Sequence, residues 1–239
     1  MNFMIEDKVF SVMPSVCFGV VIARGLDNSS RHSEITTRLN EAINAAQAKF
    51  TGIKPKEHPD LQPYREAFRK MGINPNKFPC SVEALSARAA KSGTLPDINP
   101  AVNLVNAYSL KYTLPMGAHD LDQTESDIEV RFSRPGDLFT PFGETKQETL
   151  EAGELVYASG SIIKTRKWIW RQSDFGKVTE TSRNIFFPID GFADYNYAAV
   201  IKARDELASA LEDLLGAEVN RHYLDNEKRT IRVSGGRGC

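Results

Sequence analysis

Apolar residues along this chain change their period twice. Residues 16–23 form a short, continuous, β-branched apolar run closed by Arg24 and Gly25, which predicts a buried strand. Across 33–50, Ile35, Leu39, Ala42, Ile43 and Ala46 recur at intervals of three and four, giving one apolar helix face. Gly52 and Pro55 break that pattern. A second helix is predicted through Tyr64, Phe68 and Met71 to Gly72, and a third from a Ser81 cap, with Glu83 in its first turn, to Gly93. Between them residues 73–79, with Pro75 and Pro79, read as extended. Asn99 then caps a fourth helix, and Pro100 suits its first turn, where the missing N–H has no intrahelical partner. Residues 33 to about 112 are therefore predicted to be mainly helical.

After Ser126 the period becomes two. Ile128, Val130 and Phe132 alternate with charged residues, as in a half-exposed strand. Residues 155–157, 162–170 and 185–187 are further strand candidates, separated by Gly153, Gly160, Gly176 and Pro188. Helical order returns over 196–215 with Val200, Ile201, Leu207, Leu211, Leu214 and Leu215, and Gly216 is the predicted stop. A polar tail follows, its Gly235, Gly236 and Gly238 read as flexible. Helices first, strands later and a helix last predict a segregated α+β fold over alternating βαβ units.

The 239 residues are 41% hydrophobic and 26% charged, enough for one large domain or two small ones with a real core. Thirty basic and 31 acidic side chains leave a net charge of -1, so any nucleic-acid affinity must come from a local patch. Cys17, Cys80 and Cys239 are widely separated and form no Cys-x-x-Cys pair. That supports neither a disulfide framework nor a thiolate zinc site, and a reducing compartment is expected. Residues 1–12 contain Glu6, Asp7 and Lys8 and lack a signal peptide's apolar core, and no run approaches the roughly 18 apolar residues that span a bilayer. A cytoplasmic location, with no membrane or DNA partner, is the expectation.

Candidate chemistry concentrates in two segments. Asn99, Asn103 and Asn106 share one helix face although Asn costs roughly half a kcal/mol relative to Ala in a helix interior. The stripe is either a working face or a solvated one. His119 follows in a turn beside Asp120, and a carboxylate can orient an imidazole as a base. Adjacent side chains of an extended segment point to opposite faces, however, so the pair is not expected to meet, and a structural histidine is the alternative. A metal site from His119, Asp120 and Asp122 has no supporting cluster elsewhere. Residues 166–173 hold both tryptophans. In a strand Arg166, Trp168 and Trp170 share one face, offering aromatic surface to a base or an amino-acid side chain, while arginine can hold a carboxylate or phosphate. The alternative is a core strand with buried tryptophans and cations at its rim. Cys80, after Pro79 at a helix start, is a candidate for a lowered thiol pKa, without an identifiable partner. Phosphate-loop, dinucleotide, nucleophile-elbow and His-Glu-x-x-His motifs are missing, so neither cofactor nor metal is expected.

Several segments, in order, resemble one family: 77–85 (Lys-Phe-Pro-Cys-Ser-Val-Glu-Ala-Leu), 95–106, 114–122, 128–131, 153–157, and 166–173 with 179–181. Together they are similar to the B3/B4 domain of the β subunit of bacterial phenylalanyl-tRNA synthetase, and more closely to its free-standing relatives. No single piece is specific, but the ordered set is. The resemblance implies an α+β, B3/B4-like layered domain with mixed β-structure and helices packed on it. One domain over 1–239 is expected, with a motif-bearing core at 77–187, a strand-helix part at 1–75 and a helix at 194–216.

In that family the domain hydrolyses tyrosine wrongly esterified to the phenylalanine tRNA. Its pocket-lining Asn-x-Val-Val-Asp-x-x-Asn segment matches 99–106, with Asn103 replacing the acid. Its Pro-hydrophobe-His-Ala-Phe-Asp turn matches 115–120, with Gly117 in the place of the editing histidine and His119 two positions on. The family's Gly-Gly-rich loop is replaced by the Trp168 and Trp170 segment, which implies a different selectivity. The resemblance thus implies Asn99, Asn103, Asn106, Gly117, Arg166, Trp168, Trp170, Arg171 and Thr181 as substrate-binding residues and His119 as the catalytic candidate. The chain is too short for the synthetase subunit and has no class II aminoacylation motifs, so a complete aminoacyl-tRNA ligase is not expected.

Two functions remain open. The first is a deacylase acting in trans on the 3′ end of misacylated aminoacyl-tRNA. There Asn103 and Asn106 hold the amino and carbonyl groups, Trp168 or Trp170 contacts the side chain, and Arg166 or Arg171 meets the terminal phosphates or carboxylate; a modest basic patch of Lys164, Arg166, Lys167 and Arg171 is enough for the 3′ end that a binding module takes. The second is a noncatalytic module binding tRNA or a free amino acid, for which Trp168→Ala is expected to abolish binding with the fold intact.

Overall fold

A computed structural model of the chain describes residues 1–233; Gly235, Gly236, Gly238 and Cys239 lie outside them. The helices are α1 (Asp7–Val12), α2 (Ser33–Lys49), α3 (Gln62–Lys70), α4 (Ser81–Ser92), α5 (Pro100–Tyr112) and α6 (Tyr197–Leu215). The strands are β1 (Asn2–Ile5), β2 (Val16–Arg24), β3 (His119–Asp120), β4 (Ile128–Phe132), β5 (Leu138–Phe139), β6 (Glu148–Thr149), β7 (Leu155–Ser159), β8 (Ile162–Arg166), β9 (Arg171–Gln172), β10 (Ile185–Phe192), β11 (Glu218–Leu224) and β12 (Thr230–Arg232). The fold is α+β, as expected.

The larger sheet runs β12-β1-β4-β7-β8-β5-β6 with β9 paired to β8, and it is mixed: β1/β4 and β5/β8 are parallel. The smaller, antiparallel sheet runs β11-β2-β10-β3. Strand β2 is central in it, which explains its unbroken apolar run: a strand covered on both faces needs no polar alternation. The sheets pack face to face through aromatic rings. Phe3 of β1 lies 4.8 Å from Phe186 of β10 and 6.1 Å from Phe18 of β2 between ring centroids, and stacks on Tyr157 of β7 in its own sheet at 6.2 Å. Helix α6 covers the other face of the small sheet. It comes so close that a Cβ at Gly19 or Gly191 would stand 2.9 Å or 2.3 Å from a Val200 methyl, a contact only glycine permits.

Four expectations are corrected. The helix after residue 80 begins at Ser81 with Cys80 in the cap position and no side-chain cap. The 162–170 strand stops at Arg166. The 185–187 strand instead continues through Pro188 to Phe192. Pro188 is tolerated because N and C=O of one residue in an antiparallel strand point to the same side, and its carbonyl accepts from Gly117 N at 3.0 Å. Its missing N–H therefore faces the 115–118 turn and not β2. Finally, the polar segment after Gly216 is not all tail: β11 and β12 add edge strands, whose largely exposed polar side chains hide the strand pattern.

Candidate functional site

Helix α5 ends at Thr113, a left-handed residue with φ 55°. The chain then turns to run beside β10: Gly117 N donates to Pro188 O and Asp190 N to Pro115 O, both at 3.0 Å. Beyond the turn, the alternation expected of 119–120 holds. Asp120 accepts from Ser182 Oγ at 2.5 Å and from Asp122 N at 2.8 Å, whereas His119 packs its ring 6.0 Å from that of Tyr157 and 6.3 Å from that of Phe186. No hydrogen bond among the described residues engages the imidazole. Burial, with the Lys164 charge adding to it, pushes the His119 pKa down to about 3. At neutral pH the ring is uncharged.

Strand β8 ends at Arg166 because Lys167 (φ 47°) and Trp168 (φ 62°) are left-handed, a conformation of order 1–3 kcal/mol for each non-glycine residue. The expected alternation of Arg166, Trp168 and Trp170 on one strand face therefore does not occur. The strained turn is held from several sides: Trp168 N donates to Leu155 O at 2.6 Å, Lys167 N to Glu154 Oε1 at 3.1 Å, and Ile169 O accepts from Ser81 N at 2.7 Å. It drives the Trp168 indole into the core, fully buried, with Nε1 donating to Asp190 Oδ1 at 2.6 Å. Tyr157 OH donates to the same oxygen at 2.7 Å. Burial raises the Asp190 pKa to about 7 against these two hydrogen bonds, which oppose the rise.

These groups close around a cavity of about 70 Å³, lined among others by Ser81, Gly117, His119, Tyr157, Trp168, Trp170 and Asp190. Its mouth is half-exposed (Ser81, Gly117, Thr165, Trp170, Gln172) and its floor is buried (His119, Tyr157, Trp168, Pro188, Asp190). Gln172 Nε2 ties the rim to Ala118 O at 2.8 Å. A Cβ on Gly117 would lie 3.6 Å from His119 Nε2, so the imidazole occupies the space beside the glycine.

Of the residues singled out in the sequence, Gly117, His119, Trp168 and Trp170 converge here. The others lie outside the lining. Asn99 caps α5, accepting from Val102 N at 3.0 Å and donating to Val178 O at 3.3 Å. Asn103 accepts from Ile98 N at 3.1 Å and donates to Asp97 Oδ1 at 2.6 Å, so both sides of its amide serve the local chain. Asn106 is half-buried and Thr181 exposed, the latter 3.0 Å from Thr179 Oγ1.

The expected basic patch is neutralised. Arg166 holds Glu154 and Glu148 at 2.9 Å, Lys167 holds Glu154 at 2.7 Å and Arg171 holds Glu144 at 2.8 Å. Lys164 is buried, its Nζ 3.2 Å from Thr124 Oγ1, and burial lowers its pKa to about 8. Cys80 contradicts the activated-thiol reading, since burial pushes its pKa up to about 12.

Asp190 and Tyr157 are the functional candidates that sequence reasoning missed. The available signal was an acid inside the apolar run 185–192, hidden by reading Pro188 as a strand end. A larger open groove of about 1100 Å³ runs between α2, α5 and α6, but none of these residues lines it. Among the described residues no group of three or more His, Cys, Asp and Glu side chains is placed to hold a metal ion, and no helix is long and apolar enough to cross a membrane.

Two sheets packed through aromatic rings, helices on the outer face and a small polar-floored cavity beneath a strained tryptophan turn define a layered α+β domain with a half-open site. The sequence profile of the B3/4 domain matches residues 63–216, and the chain belongs to that family. It resembles the phenylalanine–tRNA ligase β subunit of Idiomarina loihiensis, with 32% identity over 109 residues. That match covers 46% of this chain and spans 13% of the length of the ligase subunit. Among solved structures, an N-terminal fragment of the phenylalanyl-tRNA synthetase β-subunit from Pyrococcus horikoshii is similar at 12% identity and a TM-score of 0.48, over 92% of this chain and 53% of the fragment.

Proposed function

We propose that this chain acts in the cytoplasm through its B3/4 domain, hydrolysing misacylated aminoacyl-tRNA in trans at the cavity between Gly117 and Asp190. The observation that carries this reading is the pairing, on the buried floor of one cavity, of an uncharged imidazole with a carboxyl whose pKa lies near 7. The similarity to a phenylalanine–tRNA ligase β subunit supports an aminoacyl ester as the substrate.

In this mechanism the ester enters past Trp170 and the space left by Gly117. A water held by His119 and Asp190 attacks the ester carbonyl and gives its proton to the Asp190 carboxylate. The ester C–O bond then breaks, and the ribose oxygen takes a proton back from Asp190, releasing amino acid and tRNA. His119 works as a neutral hydrogen-bonding group that orients the water, because an imidazole with a pKa of about 3 is a weak base. The ion-paired cations around the mouth support brief contact with the 3′ end over tight binding of the whole tRNA. The same low His119 pKa favours, as a second reading, a module that binds tRNA or a free amino acid without turnover.

A deacylation screen over a panel of mischarged tRNAs separates the two. Hydrolysis is expected, with a rate that rises with pH through about 7 as Asp190 ionises, a rise that His119→Gln keeps and Asp190→Asn removes. An inert panel rejects the hydrolase and leaves the binding module.

A further inference from the structure

The dimensions and floor chemistry of the cavity bear on which aminoacyl group it takes. A volume of about 70 Å³ corresponds to about two waters at roughly 30 Å³ each. That is room for a short side chain and far too little for a phenyl or phenol ring beside the Trp168 indole. The indole cannot swing aside cheaply, because it is fully buried, bonded to Asp190, and packed 6.2 Å from the Tyr64 ring and 5.9 Å from that of Phe192. The floor, by contrast, is polar. His119 and Asp190 are each 2% exposed, and the imidazole is without a hydrogen-bond partner among the described residues. Asp190 Oδ1 already accepts from Tyr157 and Trp168, which leaves its second oxygen for the attacking water. An apolar side chain reaching this floor would leave the imidazole buried and unsatisfied, whereas a hydroxyl, with one proton and two lone pairs, donates to a bare ring nitrogen or accepts from a ring N–H.

We infer that the site is built for a short, hydroxyl-bearing aminoacyl group of the seryl or threonyl kind, with Trp168 as the residue that excludes aromatic side chains and His119 as the one that reads the hydroxyl. This rests on the aminoacyl-ester reading above. It predicts large discrimination against isosteres lacking the hydroxyl, because a site that hydrogen-bonds an OH is left with unpaired buried groups when the OH is missing.

The test uses the full chain in two assays. The first compares hydrolysis of tRNAs charged with serine, threonine, alanine, valine, phenylalanine and tyrosine. The second measures binding of non-hydrolysable seryl and alanyl 3′-amide adenosine analogues by calorimetry, which reads selectivity independently of turnover. Seryl or threonyl esters are expected to be cleaved at least tenfold faster than alanyl or valyl ones, with aromatic esters not cleaved above background. The seryl amide is expected to bind at least tenfold more tightly than the alanyl amide, and His119→Phe, which keeps the ring packing but removes both nitrogens, to reduce that ratio severalfold. Hydrolysis favouring tyrosyl or phenylalanyl esters overturns the inference and leaves the deacylase standing. No hydrolysis together with selective seryl-amide binding rejects the deacylase and leaves the hydroxyl recognition. Equal binding of the two amides overturns the recognition whatever the turnover.

Discussion

Replacing Asp190 by Asn should change the stability of this protein in a pH-dependent way whose sign follows from burial. In the folded chain the Asp190 pKa stands at about 7 against 3.8 for the free side chain. Below 3.8 both states are protonated and the group costs nothing. As pH rises from 3.8 to about 7 the unfolded chain ionises while the folded one does not, so stability falls by about 1.4 kcal/mol per pH unit, about 4 kcal/mol in all, and then levels off. His119 does the opposite. Its pKa falls from 6.5 to about 3 on folding, so its contribution is complete above 6.5 and is lost as pH drops toward 3. Between about pH 4 and 6.5 the two slopes cancel in the wild type. Asn keeps one oxygen for Tyr157 and Trp168 but cannot ionise, so Asp190→Asn should gain up to about 4 kcal/mol over the wild type by pH 8 and about nothing at pH 4, apart from a constant offset. It should also expose the His119 slope, losing stability as the solution is acidified below 6.5. His119→Gln should expose the Asp190 slope, losing stability as pH rises toward 7. Urea unfolding followed by circular dichroism from pH 4 to 8 measures all three curves. A wild-type minus Asp190→Asn difference that stays constant with pH would falsify the buried-carboxyl assignment, and with it the general-base role.

Other substitutions test particular contacts. Trp168→Ala removes a fully buried indole and leaves Asp190 without one donor, so it should cost about 3–5 kcal/mol, visible as a large drop in melting temperature. An unchanged melting temperature would mean that the indole does not fill the core. Asn103→Ala should cost about 1 kcal/mol through the 97–103 segment, while lowering deacylation no more than its loss of folded protein explains. Lost turnover at unchanged stability would put its amide at the substrate. The Cys80 thiol, buried and with its pKa raised to about 12, should resist alkylation until urea unfolds the chain; rapid labelling of the Cys80 peptide in native protein, read by mass spectrometry, would contradict its burial.

Secondary structure was legible wherever the determinant is local. Apolar spacing and terminal punctuation marked α2, the α5 cap at Asn99, the Gly93 and Gly216 stops and the buried run of β2, because helix periodicity and capping act within a few residues. The errors came where a distant partner overrides the local signal. Pro188 continues a strand because its bare nitrogen faces Gly117, and β11 is a strand because β2 offers it a hydrogen-bonding edge.

The site divides in the same way. Sequence alone marked the His119 turn and the tryptophan pair as chemically dense, and placed the chain near its family through the order of short segments. It also determined that overall charge attracts no polyanion. Only the tertiary structure decided which side chains meet. Ser81, His119, Tyr157, Trp168 and Asp190 belong to separate elements, and two left-handed residues at 167 and 168 aim the indole inward, where periodicity alone pointed to a regular strand face. It also took the paired carboxylates of Glu144, Glu148 and Glu154 to cancel the basic patch, and the depth of burial to hold His119 neutral and raise the Asp190 pKa. Burial and pairing depend on the whole packed molecule, so no local window of sequence contains them.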